Sequence, residues 1–215
     1  MIEHLERVIP ASPGRKGGIE TDHPLRRMTE RLAARPESWD AEARRTVTER
    51  FDRLSGEWHT RRSEERDQPL ADAIARGGPL RGPCIEVGSG IGISTGLLAQ
   101  RIGSVLSLDL SGEMLRLAPP ELGWRVRADA AALPLGDGSA RSVVLVNAFL
   151  FGPEIDRVLA PDGALVWVNS NGDHTPIHLP AEVVEQSLPG EWDGTAAEAG
   201  WGTWCVLRRR RYLAS

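Results

Sequence analysis

Three glycines, Gly88, Gly90 and Gly92, lie within five positions in the stretch "EVGSGIG". They follow a short apolar run at 84–87 and precede a segment with helical apolar spacing from about 93 to 102. Glycine lets the backbone adopt positive φ and lets a ligand approach main-chain atoms with no Cβ in the way. The N–H groups at the start of the helix then face that ligand. This strand, turn and helix predict a nucleotide-type site, although a tight turn that serves only helix packing has the same composition.

Two acidic residues follow later predicted strands. Asp109 lies 21 positions beyond Gly88 and ends the apolar run "SVLSLDL". Asp129 ends the next one, in "GWRVRADA". The carboxyl ends of parallel strands meet at one edge of a sheet, where a carboxylate accepts hydrogen bonds from ribose hydroxyls. Both residues are also good helix caps, which is the alternative interpretation.

The order of the glycines narrows the choice of nucleotide. A dinucleotide site uses G-x-G-x-x-G, but the sixth position here is Ile93, which weakens the case for a nicotinamide dehydrogenase. A phosphate-binding P-loop is excluded because no G-K-[ST] follows.

The elements that position these residues change along the chain. Residues 1–80 are polar and helical: an expected mobile arm over 1–20 precedes three amphipathic helices. The first begins at about 22–24 and continues through Leu32, the second covers 39–54, and the third covers about 69–75. Residues 81–215 alternate strands and helices, with buried strands such as 143–146. The end of the chain predicts an antiparallel hairpin. We therefore expect an α/β fold with a parallel sheet and an N-terminal helical lid over 1–80.

Composition limits the possible partners. The chain has 215 residues, 40% of them hydrophobic and 26% charged, and a formal net charge of -4. This charge argues against a nucleic-acid partner, which needs a concentrated basic surface. No segment approaches 18 apolar residues, so we expect no membrane span and a cytoplasmic protein. The two cysteines, Cys84 and Cys205, fall in predicted buried strands.

The run "EVGSGIG…LSLDLSGEML…RADAAALPLGDGSARSVVLVNAF…EIDRVLAPDGALVWVN" resembles the class I S-adenosylmethionine-dependent methyltransferases. Within that family it is most similar to the group that includes ubiquinone and menaquinone biosynthesis methyltransferases, over roughly residues 83–170. The resemblance implies a Rossmann-like, seven-stranded sheet with a reversed last strand. The cofactor that it implies is S-adenosylmethionine.

The resemblance also implies residue roles. Around the methionine part of the cofactor it places Glu86, Gly88, Ser89, Gly90 and Gly92. Around ribose and adenine it places Asp109, Leu110, Met114, Asp129 and Ala130. The reaction centre is expected at Asn147, Ala148 and Phe149.

The sequence departs from the family pattern at "DGSAR", where members often carry "DGSFD"; this position leads into a strand and is peripheral to the cofactor. An acid beside Asn147, typical of catechol-type metal sites, is absent, as is the "NPPY" of nucleic-acid base methylases. We therefore expect metal-independent transfer.

A general base is needed only if the acceptor must lose a proton. The candidates are His59, His174 and His178, with Asn147 at the reaction centre. Pro176 prevents the last two histidines from forming a regular helical metal pair. The candidates for the substrate pocket are Trp58, Phe149 and Phe151.

Trp39 and Phe51 fit the apolar stripe of the second helix, which favours a core role for them.

The function predicted from these residues and this resemblance is methyl transfer to a small-molecule acceptor by in-line displacement, in small-molecule biosynthesis. The sequence leaves open the acceptor, the atom methylated and the oligomeric state. One alternative uses the same cofactor to transfer or cyclise its aminocarboxypropyl group. Another is a non-catalytic protein that binds S-adenosylmethionine.

Overall fold

The computed structural model describes residues 1–14 and 23–210. Its strands, in chain order, are β1 (Ile2–His4), β2 (Cys84–Val87), β3 (Val105–Asp109), β4 (Trp124–Arg127), β5 (Ala140–Val146), β6 (Leu159–Asn169), β7 (Trp192–Ala199) and β8 (Gly202–Arg209). Its α-helices are α1 (Pro24–Ala34), α2 (Ala41–Leu54), α3 (Glu64–Arg76), α4 (Thr95–Ile102), α5 (Gly112–Leu117), α6 (Gly152–Val158) and α7 (Ala181–Gln186).

All eight strands form one sheet in the order β1-β7-β8-β6-β5-β2-β3-β4. Only β8 runs antiparallel, against β6 on one side and β7 on the other. From β2 the chain builds outward through β3 and β4, and then returns to add β5 and β6 on the other side. The strand order therefore reverses between β2 and β5, which is the point where α/β sheets of this kind bind ligands. The predicted Rossmann-like α/β fold with a reversed last strand is confirmed.

The predicted number of seven strands is wrong, because the N-terminus supplies an eighth. Strand β1 pairs in parallel with β7, with Ile2 opposite Gly194. The terminal amine donates to the carbonyl of Trp192 at 2.7 Å. The expected mobile arm over 1–20 is thus wrong at its beginning, since the edge strand ties it to the sheet; its part at 15–20 lies outside the described residues.

The core lies on both faces of the sheet. Val143, Val144 and Leu145 of β5 are fully buried, as expected for a central strand covered on both sides. The two cysteines are also buried, as predicted, and neither is in a disulfide. Burial raises the pKa of the Cys84 thiol to about 12. Both thiols therefore act as small apolar core groups.

The N-terminal helices differ in detail from the prediction. Trp39 precedes α2 instead of lying on it, because the side chain of Asp40 caps the helix by accepting from the Ala43 N–H at 2.8 Å. A 3₁₀ helix at Ser55–Arg61 follows α2. The third helix is longer than predicted and carries Pro69 within it. No helix in the described ranges is both long enough and apolar enough to cross a membrane.

Candidate active site

The glycine turn after β2 is folded over the end of the neighbouring strand. Gly88 has φ +72° and Gly90 has φ +56°, a region that favours glycine. The N–H groups of Gly88 and Ser89 donate to the carbonyl of Leu108 at 2.8 and 3.0 Å. A Cβ on Gly88 would lie 2.5 Å from the Cβ of Ala148, the second residue after β5. The absence of a side chain therefore brings the ends of β2 and β5 into contact.

Asp109, at the end of β3, fixes the same turn. Its Oδ2 accepts from the Gly90 N–H at 2.7 Å, and its Oδ1 accepts from the Ser111 N–H at 2.8 Å. Burial raises the pKa of this carboxyl group, against the lowering effect of these hydrogen bonds. A carboxylate has about four acceptor sites, so both oxygens retain capacity for further donors.

Asp129 is held by the N-terminal segment. The indole N–H of Trp39 donates to both of its oxygens, at 3.0 and 3.1 Å, and Arg44 Nε lies 2.6 Å from Oδ2. The Ala131 N–H donates to Oδ1 at 2.9 Å. The carboxylate thus joins the segment around α2 to the region after β4.

Replacing this carboxylate tests its role in stability. Asp129→Ala leaves the Trp39 indole and the Arg44 guanidinium without their acceptor, so we expect the free energy of unfolding to fall by about 2 kcal/mol. Urea denaturation measures it. The matched control is Glu113→Ala, which removes a surface carboxylate paired with Arg116 and should change stability by less than about 1 kcal/mol. Equal effects of the two substitutions would contradict this role for Asp129.

One cavity joins these groups at the carboxyl ends of β2, β3, β5 and β6. Its wall contains most of the predicted cofactor residues, namely Glu86, Gly88, Ser89, Gly90, Asp109, Leu110, Met114, Asp129, Ala130, Asn147 and Ala148. Gly92 is not part of this wall. A Cβ on Gly92 would lie 2.7 Å from Leu122 Cδ1, so this glycine allows close packing at the start of α4.

Aromatic side chains form the facing part of the wall. The predicted residues Trp58, Phe149 and Phe151 all line the cavity. Trp39 and Phe51 line it as well, although their spacing favoured a core role over a place in the acceptor pocket. The ring centroids of Trp39 and Phe151 are 5.5 Å apart, and those of Phe51 and Trp58 are 5.6 Å apart. These contacts are edge-on, a preferred geometry for aromatic pairs.

Asn147 follows β5 with φ +53°, the only positive value for a residue other than glycine in the described ranges. Its Nδ2 donates to Ser170 Oγ at 2.8 Å, and its Oδ1 accepts from the Ser170 N–H at 2.9 Å. Both ends of its amide are therefore occupied by the residue that follows β6. This geometry suits a positioning role in the cavity wall.

Glu86 is fully buried beneath the turn. The hydroxyls of Thr95 and Ser107 donate to its Oε2. Burial is the largest influence on this carboxyl group and raises its pKa to about 7, above the ordinary value of 4.5. Between pH 4.5 and 7, the folded protein therefore holds a proton on this carboxyl group that an unfolded chain releases.

This proton predicts a pH dependence of stability. Between pH 4.5 and 7 the unfolded chain binds fewer protons at this position, so the free energy of unfolding falls as the pH rises. We expect a fall of up to about 3 kcal/mol from this group. Glu86→Gln should remove that part of the slope in urea denaturation series at several pH values, whereas the exposed Glu113→Gln should not. An unchanged slope in Glu86→Gln would contradict this role for the buried carboxyl group.

None of the three predicted histidines lies in the cavity wall. His59 is exposed on the 3₁₀ helix, while its neighbour Trp58 faces the cavity. His174 is half-exposed, with Nε2 3.6 Å from Asp173 Oδ1. Ile177 faces the cavity, and His178 after it lines a different one beside β7 and β8, where burial lowers its pKa to about 4. No group of three or more potential metal ligands occurs in the described part of the chain.

The cavity also contains charged residues that sequence reasoning missed. They are Arg61, the last residue of the 3₁₀ helix, and Arg66 and Asp67, near the start of α3, and they line the cavity with Ser170. Arg66 Nη2 donates to Ser170 Oγ at 3.2 Å. The signal available in the sequence was the charge-rich stretch "RRSEERDQP", which is also typical of a solvent-exposed helix start.

Part of the chain matches a known family. Residues 85–167 match the model of a family described as a methyltransferase domain. This range holds the glycine turn, Asp109, Asp129 and Asn147, and it excludes the N-terminal helices. A curated protein of Micromonospora griseorubida, provisionally named 23S rRNA (guanine-N(1)-)-methyltransferase, is 36% identical over 107 residues. The match covers 46% of this chain and 36% of that protein, so the chain spans about a third of the relative's length.

Solved structures share the fold. The DhpI-SAH complex superposes with a TM-score of 0.61 at 18% identity, covering 77% of this chain and 96% of that one. A chain from the complex of the Haloferax volcanii Trm112 methyltransferase activator with a methyltransferase gives a TM-score of 0.59 at 18% identity. It covers 79% of this chain and all of that one.

Proposed function

We propose that the protein uses residues 85–167, which match a methyltransferase domain, to transfer a methyl group from S-adenosylmethionine to a small-molecule acceptor. The family resemblance predicted from the sequence is confirmed by this match. The observation that carries the proposal is the single cavity in which the glycine turn and Asp109 face the aromatic residues of the N-terminal segment.

The residues present fit the cofactor. Asp109 retains acceptor capacity for ribose hydroxyls after its bonds to the Gly90 and Ser111 N–H groups. Leu110 and Met114 offer an apolar surface beside it for adenine. The bare backbone at Gly88 and Gly90 leaves room for the methionine part. Asp129 is engaged by Trp39 and Arg44, so we propose that it shapes the adenine end together with them.

S-adenosylmethionine supplies a methyl group that is already activated by its positive sulfur, so the protein's main task is alignment. The strained Asn147 and its two bonds to Ser170 hold the wall in place between β5 and β6. Phe149 and Phe151 are buried and pack against Trp39, and in this proposal they exclude water from the acceptor side. Asp67 lies on that side, where burial raises the pKa of its carboxyl group. In this proposal it accepts a proton from acceptors that must lose one.

We further propose that two parts of the chain have different roles. Residues 81–215 provide the cofactor site, and residues 1–80 provide the helical lid that supplies Trp39, Phe51 and Trp58 to the acceptor side. A net charge of -4 favours a small acceptor over a nucleic acid. The apolar, aromatic wall suits a compact and largely apolar molecule.

Transfer from S-adenosylmethionine with a deuterated methyl group tests this function. The purified protein is incubated with it, a panel of small aromatic acceptors and total RNA, and the products are analysed by mass spectrometry. We expect the label on a small molecule, with S-adenosylhomocysteine released. Label on RNA alone would contradict the acceptor class. Release of methylthioadenosine would indicate aminocarboxypropyl chemistry instead, and binding without any product would indicate a non-catalytic protein.

A further inference from the structure

The charges that line the cavity are divided between its two sides. Three acidic side chains, Glu86, Asp109 and Asp129, lie at or just beyond the ends of β2, β3 and β4. Burial raises the pKa of Glu86 to about 7, and Asp129 is paired with Arg44. The cationic side chains of the described wall, Arg61 and Arg66, come from the N-terminal segment. Arg66 lies beside Ser170, at the β5–β6 side. The acidic side matches the ribose hydroxyls and positive sulfur of the proposed cofactor, so the basic side needs a separate explanation.

Arg66 has unused hydrogen-bonding capacity. A guanidinium carries five N–H donors in a planar fork that matches a carboxylate. In the described part of the chain, one side-chain hydrogen bond of Arg66 is found, to Ser170 Oγ at 3.2 Å. Arg61 stacks over the Trp58 ring, with its Cζ 4.6 Å from the ring centroid. This stacking leaves the edge of the Arg61 guanidinium available to a ligand.

The two guanidinium groups repel each other. Burial is the largest influence that lowers the pKa of Arg66, and the positive charge of Arg61 lowers it further. Among the described wall residues, Asp67 is the one carboxylate on the same side, and burial raises its pKa, which weakens its negative charge. Two cations, of which Arg66 is half-buried and Arg61 is exposed, beside a single carboxyl group whose pKa burial raises leave a net positive charge, which an anionic ligand would neutralise.

We propose that Arg66, supported by Arg61, forms a carboxylate-binding subsite at the β5–β6 side of the cavity. The inference rests on the proposed function and adds that one reactant carries a carboxylate that the protein binds. Two sources can supply the carboxylate: the methionine end of the cofactor, or an acidic acceptor. In either case the subsite fixes one end of a reactant beside Asn147 and Ser170.

Calorimetric titrations of the full chain distinguish the sources. S-adenosylhomocysteine carries the carboxylate and methylthioadenosine lacks it. If the cofactor is the source, Arg66→Gln weakens S-adenosylhomocysteine binding by about tenfold or more and leaves methylthioadenosine unchanged. Arg66→Lys keeps the charge and should recover part of the loss. Arg62→Gln is the matched control, because it removes the same charge from an exposed neighbour outside the cavity wall.

If an acidic acceptor is the source, the cofactor titrations do not change, and a second probe reports the subsite. With S-adenosylhomocysteine bound, the wild type binds benzoate in preference to benzamide, and Arg66→Gln loses that preference. The proposal is overturned if Arg66→Gln, with an unchanged melting temperature, alters neither the S-adenosylhomocysteine affinity nor the preference for benzoate. If the wild type binds neither S-adenosylhomocysteine nor methylthioadenosine, the proposed function is overturned, and the subsite with it.

Discussion

Gly88→Ala should abolish binding of S-adenosylhomocysteine and destabilise the protein by about 3 kcal/mol. The backbone here has φ +72°, which costs an alanine roughly 1 kcal/mol or more. The added Cβ would also lie 2.5 Å from the Cβ of Ala148, so the ends of β2 and β5 must separate. Overpacking of this kind adds about 1–3 kcal/mol. The turn that we propose to face the cofactor moves as a consequence.

The matched control is Gly136→Ala. Gly136 is exposed and has no positive φ, and a Cβ there would meet no atom within 4 Å. We expect the control to keep both its melting temperature and its affinity for S-adenosylhomocysteine. If Gly88→Ala binds as tightly as the control, the turn does not form the cofactor site.

Asp109→Ala should weaken S-adenosylhomocysteine binding by about 100-fold or more. The substitution removes the proposed acceptor for the ribose hydroxyls and also frees the Gly90 and Ser111 N–H groups that hold the turn. Each charge-assisted hydrogen bond contributes about 1.5–3 kcal/mol, so the loss of two ligand bonds accounts for this factor. Calorimetric titration measures the affinity.

Asp109→Asn separates ligand contact from turn geometry. It retains one oxygen for the turn, so we expect its melting temperature to stay closer to that of the wild type while its affinity still falls by about tenfold or more. Asp162→Asn, an exposed residue near the start of β6, is the control for the loss of charge. Wild-type affinity in both Asp109 variants would rule out this carboxylate as a ribose ligand.

The strands of the sheet were predictable where both faces of a strand are buried and where strands and helices alternate along the chain, because such strands pair in parallel. The strands β2, β3 and β5 appear in the sequence as apolar runs bounded by turns, because both of their faces are covered. β1 has no such signal: it is three residues long at the sheet edge, and its partner β7 lies about 190 residues later. Trp39 was placed on a helix because its spacing continues the α2 stripe across the Asp40 cap.

The proposed cofactor side of the cavity was predictable from local order along the chain. A strand, a glycine turn and a helix bring Gly88 and Gly90 to the sheet edge, and the end of the next strand brings Asp109 there. The acceptor side depends on how α3 and the preceding turn lie over β5 and β6, and no local pattern determines that packing. The sequence therefore missed Arg66 and selected His59, which proved to be exposed.

The glycine turn and Asp109 are proposed to bind one molecule of S-adenosylmethionine or its product, and every functional role above depends on that binding. A crystal structure of the protein with S-adenosylhomocysteine tests it directly. We predict that the ribose hydroxyls lie about 2.5–3.0 Å from the Asp109 carboxylate oxygens, with the methionine part against Gly88 and Gly90. A cavity closed by the protein's own side chains, or a ribose bound away from Asp109, would contradict it.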